Sequence, residues 1–213
     1  MTRCSTPAVL LLPLLLALAP IAAASVPALE GASTVAFEQT SDPHVVQLGD
    51  GRALTVIYAE GDWEKTGDWA EGRSLILGFD PERGTVLADP RSGLVLPVVD
   101  DLGAQHPIDV ANDACQQDDS STLGISGCLA EAAARWDRQL NLNYQRLLGR
   151  LDAEKQAPVK AAQRAWLAWR DAQFAAISAT YQREGTMWGL VAAERRLALV
   201  REQAVRLGQL AAD

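Results

Sequence analysis

The 213-residue sequence predicts an α+β protein: a small antiparallel β-rich N-terminal region followed by an antiparallel three-helix bundle. Charge and pattern both change near the middle of the chain. Residues 25–114 hold 16 acids against five bases, a net of −11, whereas residues 115–213 hold 13 bases against 11 acids. The first stretch carries short β-prone runs separated by glycine turns, and the second carries three long apolar stripes at spacings of three and four. With 48% hydrophobic residues the chain has enough apolar surface to fold, which excludes a mostly disordered protein. A net charge of −8 argues against nucleic acid as a partner, because phosphate binding needs a basic face.

Residues 1–24 read as a secretory signal peptide. Arg3 supplies the positive start, Ala8 to Ala19 the apolar segment, and Ala22-Ala23-Ala24 a small-residue cleavage site before Ser25. The stretch Ala8 to Ala24 contains Pro13 and Pro20 and is short for a membrane span, so no stable membrane insertion is expected after cleavage. The mature protein is expected in the periplasm or secreted. Cys4 departs with the signal, which leaves Cys115 and Cys128, an even number in an oxidising compartment. Their pairing would close a small loop and contribute about 3 kcal/mol. The alternative is two reduced thiols.

Residues 25–108 are expected to form the acidic β-rich domain. Arg52 to Tyr58, Ser74 to Phe79, Thr85 to Ala88 and Leu94 to Val99 read as strands, with turns at Asp50-Gly51, Glu82-Arg83-Gly84 and Arg91-Ser92-Gly93. Pro97 marks the last run as an edge strand, since proline cannot donate to a ladder. Residues 109–213 are expected to be helical. Leu129 to Leu151, Val159 to Ala176 and Leu190 to Leu207 carry the three stripes, and Pro158 suits the first turn of the second helix.

Few residues offer chemistry. The loop Tyr58 to Arg73 repeats Gly-Asp-Trp and groups Asp62, Trp63, Glu64, Asp68, Trp69 and Glu71, the candidate partner-binding residues. Its carboxylates have the hard oxygens calcium prefers, but their spacing matches no EF-hand loop, and a solvated acidic loop is the favoured reading. Trp63 and Trp69 are either recognition anchors or plugs in the core beneath the loop, the second being favoured. The pairs Asp100-Asp101 and Asp118-Asp119 have no evident pocket to shift a carboxyl, Ser126 lies outside a nucleophile elbow, and His44 and His106 lack ligand-spaced partners. No catalytic residue, metal site or cofactor is therefore expected, and the protein is read as a non-enzyme.

In the helical half, Asp137, Asn141 and Tyr144 share one helix face, and Arg164, Arg170 and Asp171 lie on the next helix. They are expected to meet across the bundle in a structural polar network that fixes helix register, with a polar ligand site as the alternative.

These motifs carry a resemblance. Cys115 … Cys128-Leu129 … Asp137 … Leu140-Asn141 … Tyr144, followed by Ala162-Gln163-Arg164-Ala165-Trp166 … Trp169-Arg170-Asp171-Ala172, resembles the lysozyme inhibitor LprI-like domain family over about residues 112–210. The resemblance implies a small, exported, disulfide-stabilised helical domain that binds and inhibits lysozyme; it supplies no inhibitory residue set. Similar domains often carry a second cysteine pair. Phe174 and about Arg195 stand at those positions here, and packing of Phe174 is expected to replace part of the lost stabilisation.

The expectation is an exported, non-catalytic binding protein, a lysozyme inhibitor of the cell envelope, whose partner is cationic. A −11 region would then speed encounter through long-range attraction. The alternative is an envelope ligand-binding or protein-interaction module unrelated to lysozyme.

Overall fold

A computed structural model describes residues 26–42, 44–57, 64–99 and 106–212. The expected signal peptide, Asp62, Trp63 and the Asp100-Asp101 pair lie outside the described residues. Six strands precede four helices: β1 (Glu30–Asp42), β2 (Val45–Leu48), β3 (Ala53–Val56), β4 (Ser74–Asp80), β5 (Gly84–Ala88), β6 (Val95–Val99), α1 (Pro107–Asp118), α2 (Thr122–Gly149), α3 (Ala153–Thr180) and α4 (Met187–Ala212). The α+β class holds, with one helix more than the three expected.

The expected small antiparallel β-rich region is a closed barrel with the strand order β1-β2-β3-β6-β5-β4. Closure comes from β1. Its first half, Glu30 to Ala36, pairs with β4, and its second half, Phe37 to Asp42, pairs with β2. Register shifts along β1 bend the strand so that it can serve both neighbours. Alternating residues point inward: Val35 and Phe37, Val46 and Leu48, Leu54 and Val56, Leu75 and Leu77 are all buried.

Closure also removes the edge on which Pro97 was expected. β6 lies between β3 and β5. Pro97 directs its carbonyl toward β3, accepting from the Ile57 N–H at 2.8 Å, so its missing donor falls at the end of the two-pair β3–β6 ladder. The longer β5–β6 ladder loses nothing.

The helices stop one end of the barrel. Phe79, beside that end, packs in one cluster with Ile108 of α1, Trp136 and Leu140 of α2, and Val200 and Ala204 of α4. The close approach requires glycine: a Cβ on Gly31 would stand 2.1 Å from the Pro107 carbonyl oxygen. Gly84, at φ +78°, leaves room for the Gln139 side chain, whose Oε1 accepts from Thr85 N–H at 2.8 Å. The expected boundary between residues 108 and 109 thus falls within the first turn of α1.

Within the bundle α2 and α4 run in the same direction. Asn143 Nδ2 donates to the Ala204 carbonyl at 2.8 Å, and Arg150 donates to that of Ala211. α3 runs opposite to α4, with Gln203 donating to Gln163 at 3.0 Å and Arg196 to Ser178. Asp152 caps α3, its side chain accepting from Lys155 N–H, so this helix starts earlier than expected. Pro158 is consequently its sixth residue, inside the helix rather than in its first turn.

Candidate functional site

The acidic loop is tied down by a buried carboxylate. Asp89, at the end of β5, accepts from Trp69 Nε1 at 3.1 Å, Arg73 Nη2 at 2.6 Å and Ser92 Oγ at 2.6 Å on one oxygen, and from Arg91 N–H at 3.0 Å on the other. Burial alone would raise this carboxyl, but the bonds from Arg73, Ser92 and Arg91 outweigh it and hold Asp89 at about 2. Asp89 therefore stays ionised and locks the loop to the β5–β6 turn.

That lock settles where Trp69 goes. The ring is buried in the barrel core and meets Phe37 edge-on at 5.5 Å, so Trp69 is a core plug and not an exposed anchor. Glu64, Asp68 and Glu71, which flank it, are exposed. The loop presents carboxylates to solvent over an aromatic foundation. Among the described residues no cluster of metal-ligating side chains occurs.

In the helical half Cys115 and Cys128 are joined, with Cα atoms 5.8 Å apart, linking α1 to α2. The expected cross-bundle polar network is replaced by two local pairs. Asp137 accepts from Asn141 Nδ2 at 3.1 Å along α2, and Arg170 pairs with its neighbour Asp171 at 2.7 Å on α3. Arg164 is exposed, and Tyr144 packs half-buried against the core. Helical rotation explains the difference. Trp136, Leu140 and Leu147 turn one side of α2 inward, which sends Asp137 and Asn141 to the solvent side.

The polar network that does cross the fold uses other residues. His106 caps α1: its Nδ1 accepts from Ile108 N–H at 3.2 Å, and its Nε2 lies 2.8 Å from Thr85 Oγ1. Because Nδ1 accepts, the proton belongs on Nε2, which donates to Thr85. Thr85 meets Gln139, Gln139 Nε2 donates to Asn143 at 3.0 Å, and Asn143 reaches α4. The imidazole packs at a tilt against Trp136, with centroids 4.1 Å apart, and Trp136 Nε1 donates to Asp109 at 3.0 Å. Burial, with the nearby Arg201 charge, lowers His106 to about 3, so it is neutral. Sequence reasoning missed this chain. Its available signals were His106-Pro107 at a helix start and the two amides Gln139 and Asn143 interrupting an apolar stripe.

A cleft of about 350 Å³ opens between α2, α3 and α4, with Asp137 and Arg170 both on its walls. Phe174 lines it between two guanidinium groups, Arg170 at 5.6 Å and Arg196 at 6.0 Å from the ring centroid. Among the described residues no helix is long and apolar enough to cross a membrane.

No curated protein matches the chain. A solved structure of an uncharacterized protein from Burkholderia thailandensis is 38% identical over 49% of this chain and 53% of that one, with a TM-score of 0.46. The present chain thus spans about half of that protein's length. Residues 113–207, the helical half, match the family described as lysozyme inhibitor LprI.

Proposed function

We propose that this is an exported, non-catalytic binding protein of the cell envelope that inhibits a lysozyme. The observation that carries the reading is the match of residues 113–207 to a lysozyme inhibitor family. Charge adds to it: residues 25–114 carry a net of −11, and Glu64, Asp68 and Glu71 project from a loop anchored by Asp89. A cationic enzyme would be drawn to that surface. Asp62 and Trp63, next to these carboxylates in sequence, complete the proposed contact surface.

The test is lysis of cell-wall suspensions by several lysozyme classes with and without the mature protein. Inhibition of at least one class at stoichiometric concentrations is expected. A clean negative across the classes would leave the second reading, an envelope ligand-binding module, which the cleft between α2, α3 and α4 favours.

A further inference from the structure

A second cleft, of about 290 Å³, lies between α3 and α4 and is lined by Trp166, Trp169, Leu199, Glu202, Gln203 and Arg206. We propose that it binds a pyranose sugar unit, with the Trp169 ring as the stacking platform and Glu202, Gln203 and Arg206 as hydroxyl partners.

Two of the polar side chains, Glu202 and Arg206, are exposed and not consumed by the fold. Trp169 is 47% exposed, whereas Trp136 and Trp69 are buried. Glu202 and Arg206 stand one turn apart on α4 and make no hydrogen bond or ion pair with another described residue. Gln203 is only 7% exposed, and its Nε2 donates to Gln163, which leaves its carbonyl oxygen free to accept. The site therefore offers a mainly apolar surface, with Trp166, Trp169 and Leu199 among its walls and the exposed, unpaired Glu202 and Arg206 beside them.

That set selects by exclusion. A hydrocarbon would cover the apolar wall but give the unpaired Glu202 and Arg206 beside it no partner. A polyanion would meet Glu202, and a simple cation would meet Arg206. A neutral sugar ring satisfies all of them, because its C–H face lies on an aromatic plane while its hydroxyls both donate and accept. The volume stands at the lower end of ligand pockets, about 300–1,000 Å³, so it suits one ring of a longer chain.

The inference does not rest on lysozyme inhibition, and its test contains no lysozyme. The full mature protein is titrated with cellotriose and with chitotriose while saturation-transfer NMR follows the sugar ring protons. Saturable binding of at least one sugar in the millimolar range is expected. Trp169→Ala should weaken it about tenfold, the loss of one ring contact. The double variant Glu202→Gln, Arg206→Gln, at exposed positions, should weaken it while leaving the melting temperature unchanged. Absence of saturable transfer from both sugars would overturn the proposal, as would binding that Trp169→Ala leaves intact.

Discussion

His106 shows how much one buried side chain can do. It closes the first turn of α1, reaches across to β5 and supports Trp136, all in its neutral form. Its pKa is about 3 in the fold against an ordinary 6.5, so on acidification the unfolded chain takes up a proton before the folded one does. Stability is full above pH 6.5 and should fall as pH drops toward 3, with a slope of up to about 1.4 kcal/mol per pH unit. Asp109 works in the other direction, since burial raises its carboxyl. Asp89, held at about 2, adds a further loss below its ordinary 3.8. Urea unfolding at pH 7 and pH 4.5 should show the drop, and His106→Asn, which keeps a capping acceptor, should flatten it between those values. A second contrast separates the real network from the expected one. Asn143→Ala removes the acceptor of Gln139 Nε2 and of Arg146 and the donor that ties α2 to α4, and it should cost about 1–3 kcal/mol. Arg170→Ala breaks a pair whose Asp171 partner is 65% exposed, and it should cost about 1 kcal/mol or less. Equal losses in thermal melts would place Arg170 in the core network after all.

Among the elements, α3 is the least buried. Of its 28 residues Gln163 alone is buried, whereas α2 and α4 each sink a continuous row into the core. α3 also carries Pro158 at a position where an alanine would donate to the Glu154 carbonyl. Pro158→Ala should therefore stabilise the protein by about 1–3 kcal/mol, read as an increase in the urea midpoint. An unchanged or lower midpoint would mean that the helix start is shaped around the proline. The stripes of all three long helices were legible because side chains three and four apart share a face. α1 was not. It presents only a short apolar face, with Pro107 and Ile108 its buried residues, and leaves no comparable stripe. β1 and β2 were missed for another reason: Glu30 to Asp42 is rich in exposed polar residues, and only Val35 and Phe37 turn fully inward.

At the scale of the whole molecule, the proposed docking depends on charge distribution. Replacing Asp62, Glu64, Asp68 and Glu71 by their amides should slow association with a cationic lysozyme and flatten its salt dependence, because the screening length is about 8 Å at physiological ionic strength. Surface-plasmon kinetics at low and high salt would read this, and unchanged on-rates would reduce the acidic region to a solubility feature. The sequence by itself determined the α+β class, the charge asymmetry, the three long helices and the cysteine pairing, each a consequence of composition or of short periodic spacing. Only the tertiary structure decided that the barrel closes, that Trp69 plugs it, and that Asp137 and Arg170 pair locally while Gln139, Asn143 and His106 span the fold. The reason is physical. Periodicity tells which face of an element is apolar, but a buried polar group is satisfied by whatever residue packing brings within hydrogen-bond reach, and Thr85 and Gln139 are 54 residues apart.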